Sequence, residues 1–178
     1  AEFLVQRRGF NAFSFRGLSQ ELGIKSASIH YHFPSKKDLG VALMERYTNN
    51  FNEIISQISN DRSSAREKLT VYAELFLKTF KNGERICLCG SFAADFLTLP
   101  EEIQNEVREF YRVNESWIAE TVANGLENQE FRFSGAPELA GTMVFAHLEG
   151  LLLSARVNGG AGLLARAQDW LKVIFPNP

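Results

Sequence analysis

Apolar residues recur at helical spacing along nearly the whole chain. One sustained stripe predicts a long helix from residue 37 to about 59. Similar stripes predict helices over residues 65–80, 101–126, 138–156 and 163–175, and Lys81-Asn82-Gly83 is predicted to end the first of these. No stretch alternates apolar and polar residues long enough to form a strand. The pattern therefore predicts an all-α chain of about nine helices.

Helix start and stop signals divide the segment before residue 37 into short helices. Ser14 is a good N-cap, and Gly23 is a residue that ends helices in the left-handed conformation. Ile24 is then expected to return to the core, and Ser26 to cap a second short helix. Pro34 ends that helix, because proline lacks an amide hydrogen and disfavours helical geometry in the preceding residue.

Two short helices around a glycine turn have the layout of a helix-turn-helix, whose second helix enters the DNA major groove. The outer face of the second helix carries hydroxyls, rings and hydrogen-bond donors that suit bases and phosphates. These residues are Lys25, Ser26, Ser28, His30, Tyr31 and His32. Ser35 is expected to cap the next helix, with Lys36 exposed in its first turn. A helical hairpin with an ordinary polar face is the alternative on periodicity alone.

These anchors together resemble the signature of the tetracycline-repressor (TetR) family, over roughly the first 47 residues. The matching residues are Gly9-Phe10, Ser14-Phe15-Arg16, Leu18, Gly23-Ile24 and the run from Ser28 to Leu39. The resemblance is specific, because several separated anchors agree at once. It implies a three-helix DNA-binding domain over residues 1–47 and a larger effector-binding and dimerisation domain over residues 48–178.

The resemblance also implies individual DNA contacts. Ser14 and Arg16 match the start of the family's second helix, which contacts the DNA backbone and sometimes a base. The recognition helix is matched by Ser26, Ala27, Ser28, His30, Tyr31 and His32. Lys36 matches the residue that holds a phosphate at the start of the fourth helix. The family usually has Tyr at the position of His30, so a phosphate contact there is expected to be weaker or pH-dependent.

Charge is distributed unevenly along the chain. The net charge of −2 argues against an indiscriminate nucleic-acid binder. Residues 1–47, however, contain seven Lys or Arg and four Asp or Glu, a net charge of +3, which leaves −5 for the remainder. A basic module on an acidic body suits an N-terminal DNA contact.

Other features bear on the cellular compartment. The chain does not begin with Met and opens within an apolar-periodic segment, so we expect that the N-terminal part of the first helix is missing. The segment from Ala1 to Arg8 is too short and too charged for a signal peptide. No apolar run approaches the roughly 20 residues that span a bilayer. Two cysteines, one residue apart, make no disulfide framework. A cytoplasmic protein without a membrane partner is expected.

The helix at 138–156 is apolar on nearly every side, which indicates burial against a second copy. The resemblance implies that the last two helices, near 138–156 and 161–175, form a four-helix bundle in a homodimer. A two-fold dimer would present two recognition helices about one DNA turn apart, to a roughly palindromic double-stranded operator.

The sequence offers no catalytic constellation, metal site or cofactor motif. His30 and His32 lie on the recognition helix, and His147 lies among apolar residues. His147 and Glu149 lack the spacing that puts two side chains on one helix face. We therefore expect no enzyme and no cofactor. Two other classes stay open, namely a helical ligand-binding module without DNA binding and, less favoured, an all-α enzyme.

Aromatic residues of the body are expected to line a pocket for a mostly apolar small-molecule effector, chiefly because the resemblance implies one. The candidate pocket residues are Phe76, Phe80, Cys89, Phe92, Phe96, Phe110, Tyr111, Trp117 and His147. Such aromatic stripes also form plain core, which is the alternative.

Cys87 and Cys89 suggest a second kind of response. Arg85 nearby favours a reactive thiolate, and the segment resembles one in some TetR-family regulators that answer electrophiles or oxidants. Buried, inert cysteines are the alternative.

Overall fold

The computed structural model describes residues 1–81 and 85–178. Within this part of the chain it contains nine α-helices, one short 3-10 helix at Phe96–Thr98 and no strand, so the all-α prediction is confirmed. The α-helices are α1 (Glu2–Arg8), α2 (Phe15–Leu22), α3 (Ser26–His32), α4 (Lys36–Asp61), α5 (Ala65–Lys81), α6 (Leu88–Ala94), α7 (Glu101–Glu127), α8 (Pro137–Asn158) and α9 (Leu163–Ile174). Asn82-Gly83 of the predicted helix end lie outside the described residues.

The chain forms two compact units. The N-terminal unit consists of residues 1–50 and 87–110, and the C-terminal unit consists of residues 51–86 and 111–178. The helices α4 and α7 each begin in the N-terminal unit and end in the C-terminal unit. The first three helices therefore share a compact unit with α6 and the start of α7.

A capping box starts α4, as the sequence predicts for Ser35. Ser35 Oγ accepts a hydrogen bond from the amide of Asp38 at 3.2 Å. In return, Asp38 Oδ2 accepts from the amide and the hydroxyl of Ser35, at 2.8 and 2.7 Å. The hydrogen bonds from Ser35 lower the pKa of Asp38, because they favour its ionised form.

The N-terminal unit is packed around Phe10. Its ring lies 4.8 Å from the ring of Phe92 on α6, and α1 packs against α6. At Gly40 a Cβ would come within 2.5 Å of Ile103 Cδ1 and 3.0 Å of the Phe10 ring. A larger residue at position 40 would therefore require the side chains of Ile103 and Phe10 to move.

The C-terminal unit is packed around Tyr72 of α5. Its buried hydroxyl donates to Asn114 Oδ1 at 2.7 Å, and its ring stacks on Trp117 at 5.1 Å. The ring of Phe145 on α8 meets Tyr111 edge-on at 4.8 Å. Because α5 also packs against α8 and α9, it lies at the centre of this unit.

Helix α8 has one buried face and one exposed apolar face. A Cβ at Gly141 would lie 2.4 Å from the carbonyl oxygen of Glu115, so the inner face touches α7 closely. The exposed large apolar residues of α8 are Leu139, Met143, Leu153 and Val157. Burial within the chain thus leaves the outer face uncovered, and the homodimer stays a prediction. In the described part of the chain no helix has the length and apolarity to cross a bilayer.

Candidate nucleic-acid interface

The turn between α2 and α3 forms as its sequence signals predict. Ser14 Oγ accepts a hydrogen bond from the amide of Gly17 at 3.1 Å, which caps α2. Gly23 ends α2 with φ 66° and ψ 26°, the left-handed conformation that favours glycine. The amide of Ile24 then donates to the carbonyl oxygen of Ser19 at 3.1 Å and completes the helix end.

Two predictions about this turn are wrong. Ser26 does not cap α3, because the N-cap is Lys25 and it makes no side-chain capping bond. The Ser26 hydroxyl instead donates to Ser19 Oγ at 3.0 Å and ties α3 to α2. Ile24 does not return to the core and stays 45% exposed, since the buried apolar residues of the two helices are Leu18 and Ile29.

Helix α3 buries a single residue, Ile29. Tyr31 is 84% exposed, and its ring meets that of His32 edge-on at 5.1 Å. The other exposed residues on and beside this helix are Lys25, Ala27, Ser28, His30 and His32. A seven-residue helix that exposes nearly all its side chains contributes little to the core, so its chemistry is available to a partner.

His30 is exposed but positioned by two neighbours. Its ring meets the ring of Phe15 edge-on at 4.7 Å. Its Nδ1 lies 3.4 Å from the carbonyl oxygen of Pro34, so a proton on Nδ1 can be donated there. In that tautomer Nε2 is the nitrogen that remains for a ligand.

Lys36 is half-buried, whereas the sequence predicted an exposed side chain. Its Nζ donates to the carbonyl oxygen of Asn11 at 3.3 Å and lies 4.5 Å from the centre of the Phe10 ring. Desolvation lowers the pKa of Lys36, and the charge of Asp95 partly opposes that effect. The ammonium is therefore held at the start of α4 by contacts with the loop between α1 and α2.

That loop is in turn fixed by Asn11, which donates hydrogen bonds from its backbone amide and from its side chain. Its amide donates to Asp95 Oδ2 at 3.0 Å, and its side-chain Nδ2 donates to Thr98 Oγ1 at 2.8 Å. We call the contacts of Asn11 with Lys36, Asp95 and Thr98 the Asn11 junction. Sequence reasoning missed it, because its members lie far apart along the chain.

The nine candidate pocket residues are divided between the two compact units. Cys89, Phe92, Phe96 and Phe110 belong to the N-terminal unit. Phe76, Phe80, Tyr111, Trp117 and His147 belong to the C-terminal unit. A cavity of about 250 Å³ between α5 and α9 is lined by none of the nine. The aromatic effector pocket stays a prediction.

Both cysteines are buried thiols in the described structure. Tyr47 donates its hydroxyl to Cys87 Sγ at 3.5 Å, and Cys89 Sγ donates to the carbonyl oxygen of Val107 at 3.9 Å. Their response to electrophiles or oxidants stays a prediction. Among the described residues no group of three or more His, Cys, Asp or Glu is arranged to hold a metal ion.

His147 stacks flat on Trp170 of α9, with ring centres 3.8 Å apart and planes inclined by 10°. Its Nε2 is buried and has no hydrogen-bond partner among the described residues. Burial lowers the pKa of His147, because the charged ring loses hydration.

The capped α2, the glycine turn and the exposed α3 define a helix-turn-helix DNA-binding module on a helical body, the architecture of a transcriptional regulator. Residues 1–43 match the family described as "Bacterial regulatory proteins, tetR family". A TetR transcriptional regulator from Legionella pneumophila shares 34% identity at a TM-score of 0.89, over 98% of this chain and 92% of that one. A TetR-family regulator from Agrobacterium tumefaciens shares 30% identity at a TM-score of 0.92, over 98% and 93%.

A more distant sequence relative is the HTH-type transcriptional repressor NemR of Escherichia coli K12. It is 23% identical over 180 residues, which cover 99% of this chain and 90% of the relative. The two solved structures are similar along almost their whole length at 30% identity or more. The chain therefore belongs to the TetR family of transcriptional regulators.

Proposed function

We propose that the protein is a cytoplasmic, homodimeric repressor that binds a palindromic operator in double-stranded DNA and leaves it when a mostly apolar small molecule binds. The observation that carries this proposal is α3, which buries only Ile29 and exposes hydroxyls, rings and donors. A helix with this composition suits a hydrated, charged groove better than a protein core.

The proposed DNA contacts divide into two kinds. Arg16 is exposed and makes no side-chain hydrogen bond within the described residues, so it suits a phosphate. Lys36 supplies a second cation that its contact with Asn11 already positions. Ser28, Tyr31 and His32 lie on the exposed surface of α3 and are proposed to contact base edges. Ser14 is proposed to contact the DNA backbone in addition to capping α2, since a hydroxyl both donates and accepts.

The proposed dimer joins the outer faces of α8 and α9 from two copies. Leu153 and Val157 of α8 and Val173 of α9 are exposed and apolar. Burial of such side chains against a two-fold partner is favourable at about 25 cal/mol per Å² of apolar surface. The resulting symmetry explains why we expect a palindromic operator.

An effector would act through its different affinities for the DNA-binding and released states. The helices α4 and α7 belong to both compact units, and α6 shares the N-terminal unit with the DNA-binding helices. We propose that a change in α4, α6 or α7 is passed on through the packing of α6 against α1 and through the Asn11 junction. Electrophiles or oxidants that reach Cys87 or Cys89 are one class of candidate effector.

Selection of bound fragments from random DNA by the purified protein tests this proposal. We expect enrichment of an inverted repeat whose half-sites are about one helical turn, roughly 10 base pairs, apart. Binding should weaken steeply as salt rises, because phosphate contacts release counterions. A protein that enriches no sequence at low salt would contradict the DNA-binding proposal and favour the ligand-binding module.

The alternative of an all-α enzyme has less support. His147, the histidine outside the recognition helix, packs flat on Trp170 and has no carboxylate at hydrogen-bond distance from its Nε2 in the described structure. We propose that the protein is not an enzyme and needs no cofactor. Turnover of any compound that releases it from DNA would overturn this part of the proposal.

A further inference from the structure

The cavity between α5 and α9 has an apolar wall and a charged edge. Leu69, Phe131, Leu171 and Phe175 form the wall, and all four side chains are buried. Arg66 of α5 also lines this cavity, which has a volume of about 250 Å³. A concave apolar surface with a few polar groups is the usual composition of a small-molecule site.

The guanidinium of Arg66 is fixed by uncharged oxygens. Its Nη2 donates to the carbonyl oxygen of Phe175 at 2.9 Å, to Asn177 Oδ1 at 3.2 Å and to the carbonyl oxygen of Glu130 at 3.5 Å. The carboxylate of Glu130 is used elsewhere, because it accepts the amides of Ala65 and Arg66 and so caps α5. Within the described residues Arg66 has no ion pair, and its Nη1 and Nε make no hydrogen bond.

The guanidinium also lies over the ring of Phe131, with Cζ 5.6 Å from the ring centre, so its positive charge faces the apolar cavity wall with no carboxylate partner among the described residues. Its Nη1 and Nε together carry three N–H groups that make no hydrogen bond to the described residues, and these can donate to an anion such as a carboxylate. Arg66 therefore has both the charge and the donors for an acidic ligand.

A second cavity, of about 310 Å³, adjoins the first. It shares Arg66 and Thr70 with the first cavity and is otherwise lined by Arg62, Glu67 and Val71. Arg66 thus lies at the edge of both cavities, beside the apolar wall of the first. This arrangement orients an amphipathic molecule, with its charged end at Arg66 and its apolar end against Leu171 and Phe175.

We propose that this is a binding site for a small amphipathic carboxylate, such as an aliphatic acid of about eight carbons. The volume of the apolar cavity lies just below the range of roughly 300–1,000 Å³ that is typical of drug-sized ligands, which favours a short chain. The site is distinct from the predicted aromatic pocket, since it shares none of its residues. Occupancy of this site requires no DNA.

Calorimetric titration with octanoate, 1-octanol and octylamine tests the proposal on the full chain. These probes share one apolar chain and differ in charge. We expect one octanoate per chain, at least tenfold weaker binding of octanol and none of octylamine. The variant Arg66→Gln should weaken octanoate binding roughly tenfold to hundredfold, the range of a lost charge-assisted hydrogen bond, and leave octanol unaffected.

Arg66 also holds the C-terminal residues, so a second variant is needed that leaves its bonds intact. Gln168 lines the cavity, and its side chain makes no hydrogen bond to the described residues. Gln168→Phe should fill the cavity and abolish octanoate binding while the melting temperature is kept. Arg108→Gln removes an equal charge from an exposed position in the N-terminal unit and should leave octanoate binding unchanged.

Three results would overturn the proposal: wild-type protein that does not bind octanoate, octanol that binds as tightly as octanoate, or equal losses in Arg66→Gln and Arg108→Gln. Because DNA is absent from the titration, such a failure would leave the proposed DNA binding untouched. Failure of DNA selection, conversely, would leave this site in place.

Discussion

Helices α3 and α8 both expose side chains that a monomer does not need, and their chemistry differs. The exposed residues of α3 are mostly hydroxyls and polar rings, whereas the large exposed side chains of α8 include Leu, Met and Val. A polar exposed helix favours a hydrated partner such as DNA, and an apolar one favours a dry protein partner. The contrast predicts DNA as the partner of α3 and a second copy of the chain as the partner of α8.

A charge on the outer face of α8 should have the largest effect. Leu153 is 51% exposed, so Leu153→Arg leaves the core of the chain intact. In a two-fold dimer it would bury two unpaired charges, and we expect dimerisation to weaken by at least about 100-fold. Analytical ultracentrifugation measures the change, with Leu97→Arg in the 3-10 helix as a control that keeps the dimer. A dimer that survives Leu153→Arg would place the interface elsewhere.

Alanine substitutions at two glycines of α8 test its inner face and its outer face separately. Gly141→Ala would push a methyl group to 2.4 Å from the backbone oxygen of Glu115, and we expect a loss of about 1–3 kcal/mol in the free energy of unfolding. A Cβ at Gly150 meets nothing within 4 Å, so Gly150→Ala should stabilise an isolated chain by up to ~1 kcal/mol. Urea denaturation at fixed protein concentration measures both. Loss of the dimer in Gly150→Ala would show close packing of α8 against its partner.

On the DNA-binding side, Lys36→Ala should lower affinity about tenfold for all sequences alike and reduce the salt dependence by about one counterion. Tyr31→Ala should instead change the preference at one base position and keep the salt slope. Fluorescence anisotropy with matched and mismatched operators distinguishes the two effects. Lys172→Ala, an exposed cation on α9, is the control. A change in sequence preference alone for Lys36→Ala would contradict a phosphate contact.

The smallest expected effect is the pH dependence from His147. Burial holds its pKa below the usual value of about 6.5, so the unfolded chain binds the proton more readily. Its contribution to stability is therefore complete above pH 6.5 and is lost as the pH falls from there through the folded pKa. Urea midpoints at pH 7.5 and 5.5 should differ less in His147→Gln than in wild type. His32→Gln, on the exposed face of α3, should keep the wild-type difference.

Local signals predicted the helices well, and non-local contacts limited the prediction of the site. Ser14, Gly23 and Ser35 act through bonds to residues at most four positions away, so the sequence around them suffices. The partial burial of Lys36 was not predicted, because it depends on Phe10 and Asn11, which precede Lys36 by about 25 positions.

The α5–α9 cavity could not be predicted for the same reason. Its walls come from α5, from Phe131 and from α9, which are separated by long stretches of chain. Helical periodicity marks Leu69 and Leu171 as apolar positions but does not distinguish a filled core from a cavity. The boundary between the two domains, expected after residue 47, likewise stays a prediction.

The Asn11 junction connects Lys36, a proposed phosphate contact, to the segment after α6. An ammonium group has three hydrogens, so Lys36 can keep its hydrogen bond to the carbonyl oxygen of Asn11 while it donates another to a phosphate. Asn11 in turn donates hydrogen bonds to Asp95 and Thr98. Two residues, Lys36 and Asn11, would then connect a bound phosphate to the segment after α6, so DNA binding at Lys36 would also restrain that segment.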